Sequence, residues 1–157
     1  MRAALPEALE QTLEVLAAAA ADLADPWWVF GGAAMPFYGL PEEVGPDVDV
    51  LASLADAPTL LARLGGSLVT DAAPELFRST GFGRATASPL PIEVMAELEV
   101  LSGAAWRPVR FSTRLAEPLP SGRLLHTPAA EEHAAMCRLF GRPKDLRRAA
   151  LLEAMMT

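Results

Sequence analysis

The chain holds a single cysteine, Cys137, so no internal disulfide framework can form and the fold must rest on its core. Its two histidines, His126 and His133, have no further Cys or His at zinc spacing. No Ser-His-Asp or Cys-His signature is present either, which removes the usual covalent nucleophiles. Basic charge is scarce: 13 Lys and Arg face 20 Asp and Glu, for a net charge of −7, so the global basic field of a general nucleic-acid binder is absent. Long apolar runs are missing as well. The longest uncharged stretch, Pro26 to Pro41, contains three prolines and three glycines and cannot be a spanning helix. Glu7 and Glu10 fall where a signal peptide needs an apolar core, so a cytoplasmic protein without membrane insertion is expected. No repeat or low-complexity linker interrupts the chain, and residues 1–157 are expected to form one domain.

What is present is enough to build a core: 52% of residues are hydrophobic and 21% charged. Leu9, Leu13, Leu16, Ala20 and Leu23 recur at helical steps, predicting an N-terminal amphipathic helix over about 6–25. Trp27 to Phe30 reads as a buried strand ended by Gly31-Gly32, with a helical pattern over 33–38. Further expectations are a strand from Asp47 to Leu51, a short helix over 58–64 and a short strand over 67–70. A hairpin around Gly81-Phe82-Gly83, with arms over 75–80 and 84–88, leads into a strand containing Glu93. Short strands are expected over 109–112 and 122–125. Thr127-Pro128 opens a helix to about Phe140, and a last helix runs to about Met155. This order predicts an α+β (mixed α/β) fold, a twisted mixed sheet flanked by helices, with an N-terminal amphipathic helix and a C-terminal helix pair.

Two short segments carry chemistry. Gly31-Gly32 lets a backbone approach a ligand closely, and the helical turn after it offers amide N–H groups to a phosphate; a plain strand-to-helix turn is the alternative. In Asp47-Val48-Asp49-Val50 both carboxylates share one strand face, about 6 to 7 Å apart along it. Hard cations such as Mg²⁺ take carboxylates plus substrate phosphates. A third acid is expected from a neighbouring strand, and Glu93 in Leu90-Pro91-Ile92-Glu93-Val94 is that candidate; Glu97 and Glu99 share its parity. Arg138, Arg142, Lys144, Arg147 and Arg148 cluster against Asp145 alone. They read equally well as a phosphate-meeting patch and as solvated C-terminal charges. His133 shares a helical face with Met136, Cys137 and Phe140 and reads as a satisfied core histidine; Cys137 reads as a buried, inert thiol.

Taken in order, Gly31-Gly32, Asp47-Val48-Asp49-Val50, Ile92-Glu93-Val94 and the tail from Glu131 to Asp145 resemble the nucleotidyltransferase superfamily related to DNA polymerase β. The likeness is to its small bacterial members: minimal nucleotidyltransferases, toxins of toxin–antitoxin pairs, and aminoglycoside or lincosamide adenylyltransferases. The resemblance implies transfer of an NMP from an NTP to an acceptor hydroxyl with release of pyrophosphate. It implies Asp47, Asp49 and Glu93 as catalytic ligands of two Mg²⁺ ions about 3.5 to 4 Å apart, and Gly31 and Gly32 at the phosphates, with Arg142 and Lys144 as further phosphate contacts. The acceptor would be an RNA end, a protein hydroxyl or a small molecule. A small helical protein partner and a homo-oligomer are further expectations. The chain departs from the family pattern at Glu42 and Glu43, where two acids would repel a triphosphate, at Pro46, and at Cys137, where relatives carry a lysine. Those departures define the alternative, a catalytically impaired relative that binds a nucleotide or a protein partner.

Overall fold

The computed structural model describes residues 4–69 and 75–156, so the strand expected over 67–70 ends at Thr70 outside the described residues. Helix α1, Glu7–Ala19, buries Leu9, Leu13 and Leu16 as its periodicity predicts. It stops short of Asp25. The Asp56 carboxylate accepts the N–H groups of Asp25 (2.8 Å) and Ala24 (3.4 Å) and holds that segment in a turn.

Strand β1, Trp28–Phe30, runs into a 3₁₀ segment, Gly31–Tyr38, rather than an α-helix. Pro36 removes a donor inside this segment, and Gly39 closes it at φ 89°. Strand β2, Val48–Leu51, follows, then α2, Ala57–Arg63, and β3, Ser67–Leu68. The hairpin expected around Gly81-Phe82-Gly83 is instead one continuous strand, β4, Phe77–Ala85. These glycines serve close packing and make no turn. A Cβ on Gly83 would be driven into the Leu61 side chain and would lie 2.7 Å from the Ser67 carbonyl. Strand β5, Ile92–Ser102, pairs antiparallel with β4, and β6, Ala105–Pro108, folds back on its far half.

The main sheet has the order β1-β2-β5-β4-β3, with β2 and β5 parallel and the other neighbours antiparallel; β6 takes the edge of β5 beyond β2. Strands β7, Leu115–Pro118, and β8, Leu124–Thr127, make a separate hairpin, where strands over 109–112 and 122–125 are expected from sequence. Thr127 ends β8 and does not cap the next helix. That helix, α3, Ala130–Phe140, starts after Ala129, and α4, Pro143–Met155, closes the chain. Among the described residues no helix is long and apolar enough to cross a membrane.

Strand alternation divides the core between two faces. Val48, Val50, Ile92 and Val94 pack toward the leucines of α1 and α2. Phe30, Leu51 and Met95 pack toward Met136, Cys137 and Phe140 of α3. Asp49 and Glu93 share the parity of the second set, so they point to the α3 and α4 side.

Glu97 breaks this alternation. Its φ of 54° lies in the left-handed region that a non-glycine residue rarely enters, and the face reverses there. Leu98 and Val100 join the α3 side; Glu97 is exposed and Glu99 pairs with Arg78 at 2.7 Å. Neither Glu97 nor Glu99 shares the face of Glu93, which corrects the parity read from sequence. Glu97→Gly should relieve the strain and stabilise the fold by about 1 kcal/mol. A rise in the urea midpoint is the expected reading; a fall would show that Glu97 makes a compensating contact.

Candidate functional site

Phe30, Asp49, Glu93 and Arg84 lie in lateral register across β1, β2, β5 and β4. Asp47 precedes β2, where the Val48 N–H donates to the Pro91 carbonyl (2.9 Å) and ties the strand start to the approach to β5. One carboxylate oxygen each of Asp47, Asp49 and Glu93 lie within 4.8 Å of one another. The three acids singled out in the sequence are therefore brought together. No further group of this kind occurs among the described residues.

Three carboxylates this close repel. Burial, then the charges of Asp47 and Glu93, push the Asp49 carboxyl up to about 7, against the opposing pull of Lys144 and Arg142. Glu93 is also raised, by burial and by the Asp47 carboxyl bonded to it, while Arg84 at 3.3 Å draws it back. Such a cluster of hard oxygen donors fits a divalent cation such as Mg²⁺ or Mn²⁺, which would relieve the repulsion.

The acids open into a cleft of about 500 Å³, a volume suited to a nucleotide-sized ligand. Gly31, Gly32, Arg142 and Lys144 line it together with the acids, and Phe77, Phe82, Met95, Leu98, Met136 and Phe140 form its apolar wall. Gly31 adopts φ 72°, and a Cβ there would lie 3.2 Å from Asp49 Oδ2. The Gly31 N–H donates to His133 Nε2 at 2.9 Å, so this amide is engaged within the protein. Gly32 is needed for space: a Cβ would lie 2.6 Å from the Gly45 nitrogen and 3.1 Å from both the Glu43 carbonyl and Arg148 Nη2.

The basic tail resolves into distinct roles. Arg138 pairs with Glu153, and Arg142 grips the buried Asp145 through Nε (2.6 Å) and Nη2 (3.1 Å) while lying 4.9 Å over the Phe77 ring. Arg147 and Arg148 both reach Glu43, at 2.9 and 3.5 Å. Among the described residues Lys144 has no ion-pair partner, and it lines the cleft. Glu43 is thus neutralised by tail arginines, and neither it nor Glu42 lines the cleft, contrary to the repulsion expected from sequence.

His126 and His133 are far apart in role: His126 packs edge-on against Trp27, and His133 lies against Tyr38. His133 is fully buried, and burial with the nearby Arg148 charge lowers it to about 4, so it is neutral. Burial pushes the Cys137 thiol up to about 12, consistent with an inert thiol. Sequence reasoning misses Arg84 and the partners of Arg148 and His133, because each depends on pairing between distant segments.

No protein-family model and no curated protein matches this sequence. Solved structures do resemble the fold. A Thermotoga maritima protein provisionally classed as a nucleotidyltransferase superposes with a TM-score of 0.70 at 16% identity, covering 98% of this chain and 95% of its own. The antibiotic-resistance factor ANT(2″)-Ia gives 0.62 at 14% identity over 94% of this chain and 84% of that one. A nucleotidyltransferase-like antigen of Paracoccidioides brasiliensis gives 0.60 at 14% identity, covering 97% and 77%. The chain therefore has the nucleotidyltransferase fold.

Proposed function

We propose that this nucleotidyltransferase-fold chain, acting as one unit, transfers a nucleoside monophosphate from an NTP to an acceptor hydroxyl. The observation that carries the reading is the convergence of Asp47, Asp49 and Glu93 in a cleft that Gly32 and Lys144 also line. These carboxylates would hold divalent cations, which when bound neutralise charge at the α-phosphate and favour the ionised acceptor. ANT(2″)-Ia, whose complex with adenylyl-2″-tobramycin has a TM-score of 0.54, lends support to NMP transfer as the reaction class.

In this reading Lys144 meets the β- and γ-phosphates, and Gly32 lines the cleft beside them. Glu93, its proton affinity raised by burial and by Asp47 and its carboxylate paired with Arg84, takes the proton of the acceptor hydroxyl. The oxygen–phosphorus bond to the acceptor forms as the bond to the β-phosphate oxygen breaks, and pyrophosphate leaves. No protein nucleophile takes part. Of the features that motivate the non-catalytic alternative, Glu43 is paired with the tail arginines and does not line the cleft, whereas Pro46 and Cys137 do.

The test supplies α-labelled NTP, Mg²⁺ and a panel of acceptors: RNA 3′ ends, hydroxyl-bearing proteins and aminoglycosides. Label should move to one class with stoichiometric pyrophosphate, and Asp49→Asn should abolish it. Transfer that survives in Asp49→Asn contradicts the assignment.

A further inference from the structure

We propose that His133, on α3, is a positioning residue that holds the Gly31 turn against Asp49 and so sets the geometry of the carboxylate cluster; this rests on the metal-binding reading above. The two residues are 102 positions apart, yet the Gly31 N–H donates to His133 Nε2 at 2.9 Å. For Nε2 to accept, the ring proton must sit on Nδ1. Nδ1 faces the Cys137 sulfur at 3.7 Å, one helical turn on, and the Tyr38 ring lies 5.3 Å away. Tyr38 is itself tied by its hydroxyl to the Pro128 carbonyl. The imidazole is thus fixed on three sides in a fully buried place.

What it fixes is an unusual conformation. Gly31 sits at φ 72°, immediately after β1, where an added Cβ would lie 3.2 Å from Asp49 Oδ2. Without an acceptor at Nε2 the Gly31 amide would be left without this buried partner, and the turn would relax toward the space Asp49 occupies. Groups that orient metal-binding side chains from behind are commonly worth 10–100-fold in metal affinity. His133 acts one bond further back, through the backbone, so the lower end of that range applies. The tilted contact with the Tyr38 ring and the Cys137 contact give the histidine its orientation; the carboxylates receive it.

The experiment titrates Mn²⁺ alone into the full-length protein and its variants, and follows exchange of the Gly31 amide by NMR. His133→Leu should weaken Mn²⁺ about tenfold and expose the Gly31 amide to exchange. His133→Gln, which can place an oxygen near the Nε2 position, should retain most of both. Asp49→Asn should lose Mn²⁺ binding while Gly31 stays protected. Wild-type Mn²⁺ affinity in His133→Leu, with affinity lost in Asp49→Asn, overturns the positioning role alone. Unchanged affinity in Asp49→Asn overturns the metal reading and this inference with it. Should His133→Leu fail to fold, ¹⁵N shifts of the wild-type ring decide: a proton on Nε2 is incompatible with the proposal, and one on Nδ1 with a protected Gly31 amide supports it.

Discussion

Asp49→Asn is expected to stabilise the metal-free protein by about 2 kcal/mol at pH 8 and, in the proposed reading, to abolish divalent-cation binding. The carboxyl of Asp49 rises from 3.8 to about 7 on folding. Between those values the folded chain holds a proton that the unfolded chain has released, so its stability is full below about pH 4 and declines as pH rises through 7. The whole shift corresponds to about 4 kcal/mol. Water reaching the open side of the cleft screens part of it, which leaves about half. Asparagine keeps the size of the side chain and removes the charge, so the pH-dependent loss should flatten in the variant. Denaturant unfolding at pH 5 and pH 8 in chelator checks this. A wild-type protein equally stable at both, or a variant less stable at pH 8, contradicts the electrostatic account. In the proposed reading the same substitution also abolishes transfer, since it removes one of the three acids that would hold the cation.

Arg148→Ala should cost about 3 kcal/mol, whereas Arg147→Ala should cost under about 1. Both guanidinium groups reach Glu43, so a count of ion pairs would rank them alike. Burial separates them. Arg148 is 9% exposed, and its Nη2 donates to the Glu43 carbonyl at 2.9 Å while lying against Gly32 and Gly45. Its side chain is the post between α4 and the loop that leads to Asp47. Arg147 is largely exposed, and its loss leaves Glu43 still paired with Arg148. Urea midpoints for the two variants make the comparison. Equal losses would mean that the buried contact with the loop contributes nothing beyond surface charge. Because Arg148 braces the loop before Asp47, its variant should also weaken Mn²⁺ binding, and Arg147→Ala should not.

The carboxylate cluster was legible because strand periodicity is local. Val48 and Val50 demand one face, so Asp47 and Asp49 take the other, and the same logic applies to Ile92 and Val94 around Glu93. Extending that logic past Ala96 failed, since nothing in the side chain of Glu97 announces a left-handed backbone. Glycine misled in β4 for a related reason: Gly81 and Gly83 look like turn residues, yet their lack of a Cβ serves packing against Leu54 and Leu61. The tail arginines looked like one patch because sequence shows neighbours along the chain. Their partners, Glu43, Asp145 and Glu153, come from three places, and only pairing across the fold leaves Lys144 unpaired among the described residues. His133 looked like a satisfied core histidine, and it is one; what satisfies it lies 102 residues away at the glycine turn.

The central claim, a metal-dependent nucleotide site at Asp47, Asp49 and Glu93, is tested most directly without knowing the acceptor. Thermal unfolding is followed with each of the four NTPs, with Mg²⁺ or with chelator, for wild type and Asp49→Asn. Nucleotide at 100 times Kd adds about 2.7 kcal/mol of stability. The account predicts a rise with at least one NTP that requires Mg²⁺ and vanishes in Asp49→Asn. No rise at millimolar NTP, or one indifferent to chelator and to Asp49, would contradict it.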